Sequence, residues 1–551
     1  MPVRRAQAAR AAAARSRPQA ASWASTTKSF PAPCIFTKGM TRICVCSAAH
    51  PEYPTPPAGR HDCGIGAGRV ESSRGRAGRP GEKQRERRGM SEGATGSIPR
   101  RKALQAAVWA TITVAPGRAK GRPSPAETLN LAGVGVGGVG FGHLQEAEQA
   151  GFRIAALCDV DDAHARKAYD RWPQARRYRD FREMLHAEGD RIDAVYCGTP
   201  DHTHALVTLA ALRRRKHVCC VKPLTRTIHE GRVLLEAARR AGVATQMTAA
   251  PNTGEHACRT CEWIQAGVLG EVREVHVWSN RPVWPQGMDR PEGEDPVPAG
   301  FDWRLWLGPA PVRPFRQRWP EGHLALRQIK NNPEWVRGNR GVYHPFNFRG
   351  WWDFGCGALG DMGCHHFNTP FRALRLGAPA AVSATCTQVM PEAAPLASLV
   401  VWDFPARSGM PPVRLVWYDG GLQPPVPRGM GAEPLPEEGT LYLGDKGKLL
   451  ASWDGVNLIP ESLSAHAAAV PRTLPRRPGI WGEWHAACRG GEPAGCAFEW
   501  AVPLTEAVLL GNVAIRAARP LTWDAAGMRF PNAPSAGSLL REPYHNGWSL
   551  E

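Results

Sequence analysis

Hydrophobic and polar positions follow two regimes along this chain. Through about residue 250, apolar runs alternate with amphipathic stretches of helical length. The apolar runs are Leu129–Val134, Ile154–Cys158, Ile192–Gly198, Lys216–Lys222 and Val243–Met247. Helical patterns fill the gaps, as in Ala205–Arg214 and Ile228–Ala241. Strands alternating with helices at this spacing predict a parallel sheet. The pattern then changes. Val272–Trp278, Ala381–Val389, Leu399–Phe404, Val413–Tyr418 and Thr440–Leu450 read as strands without a regular helix between each. That predicts a largely antiparallel sheet, with Leu504–Ala518 as a late helix packing back on it.

The first two apolar runs bracket a glycine cluster, Gly135-Val-Gly137-Gly138-Val139-Gly140, and a helix-length polar segment. This is a βαβ unit with a G-x-G-x-x-G turn. The first glycine permits the tight turn. The second lets backbone approach a pyrophosphate seated on the positive end of the helix, and the third lets helix pack on strand. Asp159 follows Gly140 by 19 residues. An acid there accepts both ribose hydroxyls of adenosine and repels a 2′-phosphate, which favours NAD over NADP. The fold class expected is therefore α/β. A Rossmann-type parallel-sheet domain spans 127–250, and an α+β domain with a largely antiparallel open sheet spans 251–551. Gly135–Gly140, Asp159, Thr199–His204 and Lys222–Pro223 all fall at carboxyl ends of strands, where such sheets bind ligands.

Charge belongs to the N-terminus. Of 69 Lys+Arg and 50 Asp+Glu, residues 1–126 hold 23 and 6, leaving 127–551 with a net charge of only +2. A nearly neutral body implies no nucleic-acid face. Residues 1–89, rich in Ala, Arg, Pro, Gly and Ser, read as a disordered basic extension. Residues 90–126 read as an export signal and linker. Met90 starts it, Arg100-Arg101-Lys102 precede the apolar Ala106–Ala115, and small residues follow. The paired arginines resemble a twin-arginine leader. The chain is expected to be periplasmic if Met90 is the true start, and cytoplasmic otherwise. The apolar run is too short to span a bilayer, so no membrane span is expected. Four of 15 cysteines lie in the N-terminal region. Cys258-x-x-Cys261 lacks a second pair at zinc spacing, so no metal site is expected.

Five motifs stand in order. They are the glycine turn, Thr199-Pro-Asp-His-Thr-His204, Lys222-Pro223, Trp278-Ser-Asn-Arg-Pro-Val-Trp-Pro-Gln-Gly287, and Gly355-Cys-Gly-Ala-Leu-Gly-Asp361-Met-Gly-Cys-His365. Over about 127–551 they resemble the Gfo/Idh/MocA oxidoreductases. The last motif and the tail Tyr544-His-Asn-Gly-Trp-Ser-Leu550 resemble a secreted, planctomycete-type branch. The resemblance implies NAD-dependent hydride transfer between a sugar or cyclitol hydroxyl carbon and nicotinamide. It places Lys222, Asp361 and His365 around the reacting carbon. His365 would be general base with a pKa near working pH. Lys222 would hold the hydroxyl oxygen. Asp361 would orient the imidazole or bind a substrate hydroxyl from the same helix face. Cofactor contacts are expected at Gly135, Gly137, Gly138, Val139, Gly140, Asp159, Thr199, Pro200, His202 and Lys222. Substrate contacts are expected at Asn280, Arg281, Tyr343, Asn347, Arg349 and Trp352. A carbohydrate or polyol substrate and a homo-oligomer built on the open second sheet are also implied. His344 and His366 are weighed and set aside as structural. Taken without the resemblance, Lys222 reads as a surface lysine and Asp361/His365 as a helix-start pair.

Three departures keep other readings open. Val221 stands where the family carries Glu, or Gln in many relatives, before Lys-Pro. Thr248-Ala249-Ala250 replaces a Gly-Asn-Gln. Arg316–Arg340 interrupts a short link, either as a lid loop or as non-native sequence. A glycosidase that uses bound NAD for transient oxidation and elimination fits the same residues, as does a catalytically weakened NAD-binding homologue. Tryptophans between 278 and 352 suit either a sugar-stacking wall or a core.

Overall fold

The computed structural model describes residues 128–330, 338–431 and 433–550. The expectations for 1–89 and 90–126 lie outside the described residues.

Six short strands form the first sheet, and all but β3 are mostly buried. They are β1 (Asn130–Val134), β2 (Arg153–Cys158), β3 (Arg176–Tyr178), β4 (Ala194–Cys197), β5 (His217–Val221) and β6 (Thr245–Thr248). Every pairing is parallel and the order is β3-β2-β1-β4-β5-β6. The order reverses between β1 and β4, which opens a crevice at the carboxyl edge. Helices form where caps allow. Ile228–Ala241 starts on a Thr227/Glu230 capping box and stops at left-handed Gly242.

The second sheet holds β7 (Val272–Trp278), β8 (Ala381–Cys386), β9 (Ser398–Phe404), β10 (Val413–Tyr418), β11 (Gly439–Gly444), β12 (Lys448–Ala451), β13 (Val456–Ile459) and β14 (Leu521–Thr522). Its order is β13-β12-β11-β7-β10-β9-β8-β14. β7 and β10 run parallel, and the other neighbours are antiparallel. The Thr440–Leu450 stretch is a hairpin rather than one strand. Asp445-Lys446-Gly447 turns it, with Gly444 N–H donating to the Gly447 carbonyl at 2.9 Å.

The helix Phe498–Ala517 ties the halves together. It is long and apolar enough to cross a membrane, yet it is buried. Its Ala507 carbonyl accepts from Trp402 Nε1 at 2.8 Å, and Asn512 donates to the Cys356 carbonyl at 2.8 Å. Arg232, on Ile228–Ala241, grips Glu506 with two bonds of 2.5 and 2.8 Å. These contacts fix the helix Gly357–His366 against the first sheet. Gly479–Cys488 also crosses back, burying Trp481 and Trp484 in the core under β1 and β2. The face of the second sheet expected to be open is partly covered by this chain. Leu435 and Met430 pack over Trp278, Val416 and Leu441, and Trp278 donates to the Pro436 carbonyl at 2.7 Å.

Candidate active site

The carboxyl edge of the first sheet faces the helix Gly357–His366 across a cavity of about 620 Å³. That size suits a dinucleotide-and-substrate pocket. One end is the glycine turn. Gly135 sits at φ +76°, and a Cβ there would lie 2.6–2.7 Å from backbone of Gly198 and Thr199. A Cβ on Gly140 would lie 2.0 Å from the Gly135 carbonyl oxygen, so only glycine lets the helix Val139–Gln149 start so close to the strand. Gly140 therefore shapes the cradle without lining it, a correction to its expected cofactor contact. Gly135, Gly137, Gly138 and Val139 do line the cavity. Asp159 is 7 % exposed. Its Oδ2 accepts from Val136 N (2.8 Å) and Gly137 N (3.3 Å), and its Oδ1 from Asp161 N (3.1 Å). The carboxylate thus braces the turn while lining the cavity, with acceptor capacity left for a ribose. This cradle fits NAD: a helix N-terminus for the pyrophosphate and an acid for the adenosine ribose.

Thr199, Pro200 and Lys222 line the middle. His204 ties their two loops together. Its Nε2 lies 2.7 Å from the Thr199 carbonyl and its Nδ1 2.7 Å from the Pro223 carbonyl, inside the core. His202 does not line the cavity. It is fully buried, with ring nitrogens 2.9 Å from the Trp306 carbonyl and 3.3 Å from that of Phe354. Burial, helped by Arg226, pushes its pKa down to about 3, so the ring is neutral. Its expected cofactor role is corrected to a pin that holds the backbone at Trp306 and Phe354.

Lys222, Asp361 and His365 meet at the far end. Lys222 Nζ donates to Asp361 Oδ1 (2.5 Å) and to the Asp361 carbonyl (2.6 Å). Arg349 Nε donates to the same Oδ1 at 2.9 Å, and Arg281 Nε lies 3.8 Å from Oδ2. Burial alone would raise the Asp361 pKa. Lys222, then Arg349 and Arg281, overcome that and hold it well below the usual carboxylate range. Asp361 is thus a fixed negative charge, bonded to cations and not to the imidazole, which corrects its expected orienting role.

His365 differs from the expectation more sharply. Its Nδ1 accepts the Ala250 N–H at 2.8 Å. A ring nitrogen that accepts carries no hydrogen, so the neutral ring's proton is on Nε2. Burial, then the Lys222 charge, pushes the pKa well below 6.5. His365 therefore presents a donor, not a base poised near neutrality. The departure Thr248-Ala249-Ala250 bears on this point, because the backbone of Ala250 sets the tautomer.

Arg281 and Arg349 line the cavity, but the other expected substrate contacts do not. Asn280 points away to Glu437 at 3.0 Å. Asn347 is buried and donates to the Gly341 carbonyl. Tyr343 lies in an aromatic core with Trp303, Trp351 and Phe354, around the Arg290 guanidinium. Trp352 is buried against Arg516. Most of the tryptophans between 278 and 352 are core, although Trp306 reaches the cavity. The described part of Arg316–Arg340 is no lid. Arg316 pairs with Asp295 at 2.9 Å, Trp319 stacks near Trp351, and no residue of it lines the cavity.

Further residues line the cavity, of which His143, Trp453 and Glu438 carried no signal in the sequence. His143 faces Lys222 and bonds Tyr196 Oη at 2.9 Å, and burial followed by Lys222 pushes its pKa down to about 4. His344 takes the Trp306 indole N–H on Nδ1 (3.2 Å) and donates from Nε2 to Asp161 (3.1 Å). Trp453 and Glu438 stand beside His365. Val221 lines the wall as an apolar surface. At the nucleotide end Phe181 stacks on Trp548 of the C-terminal tail, with centroids 5.8 Å apart.

Residues 129–249 match the Gfo/Idh/MocA oxidoreductase family, NAD-binding Rossmann fold. That match covers the first-sheet domain, about a fifth of the chain. Inositol 2-dehydrogenase of Salmonella typhimurium is 30% identical over 118 residues, 21% of this chain and 34% of the relative. Inositol 2-dehydrogenase of Arthrobacter sp. is 30% identical over 164 residues, 29% and 48% of the two chains. The matched stretch thus spans about a third to a half of these relatives. The WlbA dehydrogenase from Bordetella pertussis, solved with NADH and UDP-GlcNAcA, superposes with a TM-score of 0.50 at 14% identity, over 72% of this chain and 99% of that one. That likeness extends the shared fold through the second sheet.

Proposed function

We propose that the protein is an NAD-dependent oxidoreductase that interconverts a hydroxyl and a carbonyl on a sugar or cyclitol. The observation that carries this is one cavity with a dinucleotide cradle at one end and Lys222, His365 and Asp361 at the other. NAD, when bound, supplies the hydride acceptor at nicotinamide C4, and NADH the donor. Lys222 Nζ and His365 Nε2–H both donate toward the substrate oxygen, which favours the negative charge developing there. Lys222 carries the proton. It gives one as the carbonyl becomes a hydroxyl and takes it back in reverse. Asp361 keeps the ammonium aimed through two short bonds. Arg281 and Arg349 screen Asp361 and offer donors to neighbouring hydroxyls. The relatives' names support polyols as the substrate class.

The test is to denature the purified full chain, identify released nucleotide by mass spectrometry, and follow NADH absorbance with cyclitols and sugars. NAD release or NADH titration, together with turnover that Lys222→Ala abolishes, is expected. Absence of nucleotide binding, or full activity in Lys222→Ala, would remove the reading. We also propose export through a twin-arginine route, resting on Arg100-Arg101 and the apolar stretch after it, and self-association through the second sheet. The N-terminal sequence of the native protein tests the first. Sedimentation equilibrium tests the second.

A further inference from the structure

Segment 541–550 passes over the nucleotide end of the main cavity. Glu542 pairs with Arg226 at 2.7 Å and with Arg516 at 2.5 Å. Tyr544 Oη donates to Glu230 Oε1 at 2.6 Å. The His545 N–H donates to the Pro309 carbonyl at 2.9 Å, and the Asn546 side-chain amide to the carbonyls of Gly308 and Ala310 at 2.9 and 2.8 Å. Beyond these anchors the chain turns at Asn546 and Gly547, with φ of +58° and +75°. Trp548–Leu550 then lies on the helices Phe181–Glu188 and Asp201–Arg213.

Two observations give this segment a role in holding nucleotide. Trp548 and Phe181 both line the cavity and are half-buried, so they present apolar ring surface to it. The Asp159 N–H donates to the Tyr178 carbonyl at 3.1 Å, so Arg179–Phe181 continue directly from the ribose seat. With pyrophosphate on the glycine turn and ribose on Asp159, the adenine projects toward those residues and Trp548. The second observation is unequal tethering. Glu542–Asn546 is bonded to buried groups, among them Glu230, Arg226 and the Gly308–Ala310 backbone. Trp548–Leu550 is held from the surface. The exposed Arg182 guanidinium lies 4.2 Å over the indole, and Arg213 donates to the Leu550 carbonyl at 2.6 Å in an exposed bond. Exposed contacts of these kinds are weak. Two successive positive-φ residues separate the firm part from the loose one, which is where a hinge absorbs rotation.

We propose that 541–550 is a strap across the adenosine end of the NAD site, and that Trp548–Leu550 swings about Asn546-Gly547 to admit and release the nucleotide. Closed, Trp548 and Phe181 wall the adenine from water. Open, the anchors keep the segment on the molecule. The strap rests on the NAD reading of the cradle and adds to it. Residues 129–249 alone leave the adenosine pocket unfinished, and exchange of the cofactor waits on a segment about 300 positions further along the chain.

The test is stopped-flow binding of NADH to the full chain, to Trp548→Ala and Trp548→Phe, and to a chain that stops after Asn546, with ADP-ribose competition at equilibrium. Losing a base–aromatic contact costs about tenfold in binding. The NADH off-rate is therefore expected to rise by about tenfold or more in Trp548→Ala and in the shortened chain. ADP-ribose, which carries the adenosine half without nicotinamide, is expected to lose affinity by the same factor as NADH. Trp548→Phe keeps a ring and is expected to stay within about threefold of wild type. A closed strap also obstructs entry, so the on-rate of the shortened chain is expected to rise by about threefold or more. Saturable NADH binding by each variant reports an intact fold. An off-rate unchanged in both Trp548→Ala and the shortened chain would overturn the strap and leave the NAD reading standing. A faster off-rate with an unchanged on-rate would overturn the swing and leave a fixed wall. If neither NADH nor ADP-ribose binds the wild type, the NAD reading itself falls and the strap with it.

Discussion

Replacing His365 separates a donor from a base. The Ala250 N–H occupies Nδ1, so the ring is a fixed Nε2–H donor. Glutamine places an amide N–H near where Nε2 stands but cannot abstract a proton, and leucine offers neither. A hydrogen bond to a charged oxygen is worth about 1.5–3 kcal/mol, so His365→Leu is expected to slow turnover by about 10- to 150-fold. His365→Gln keeps the donor and is expected to stay within about tenfold of wild type. Both variants leave the Ala250 N–H without its acceptor, at a cost of about 1–3 kcal/mol in stability. The assay is steady-state reduction of a keto-sugar or inosose by NADH, with pH profiles from 5.5 to 8.5 beside melting curves. The reasoning also requires that His365 contribute no limb near pH 6.5, because burial and Lys222 keep the ring neutral there. If glutamine is as damaging as leucine, and a limb near 6.5 vanishes in both, His365 is the base that the family resemblance implied.

Gly137→Ala would put a Cβ 2.1 Å from the His164 ring and push that ring within the cavity. NADH binding should weaken by about tenfold or more with the melting temperature nearly unchanged, whereas unaltered affinity would place the nucleotide elsewhere. Gly140→Ala, clashing with backbone at 2.0 Å, should instead cost about 1–3 kcal/mol of stability, read by urea unfolding. Burial lowers the pKa of His143 to about 4, His202 to about 3 and His366 to about 4, and holds that of His365 well below 6.5. The unfolded chain binds more protons below pH 6.5, so this stability is complete above 6.5 and is lost as pH falls toward 4. Each ring contributes a slope of about 1.4 kcal/mol per pH unit. His202→Phe should flatten the slope between pH 6 and 5 by about one proton, and an unchanged slope would mean His202 is not held neutral.

The parts of this molecule that obey a local rule were readable in advance. The glycine turn, the capped helix Ile228–Ala241 and strands such as Val413–Tyr418 follow from period, capping and steric need within a few residues. Lys222, Asp361 and His365 were found by motif order, and the fold brings them together across 139 positions between Lys222 and Asp361. What failed was orientation. Tyr343, Asn347 and Trp352 lie between two of the motifs, but their side chains turn into the interior, which no periodicity announces. The tautomer of His365 depends on a main-chain N–H from another element, which leaves no mark in residue type. Trp453 and Trp548 reach the cavity from a hairpin edge and a tail, through contacts that sequence spacing does not encode.

The most direct test of the account is a single-turnover experiment with NADH deuterated at nicotinamide C4 and a keto-sugar or inosose, on wild type and Lys222→Ala. The account predicts deuterium at one carbon of the product in wild type. Lys222→Ala should bind the nucleotide normally and transfer deuterium at least about 10²-fold more slowly. Transfer at the wild-type rate without Lys222, or no transfer from bound nucleotide to any sugar or cyclitol, would contradict it.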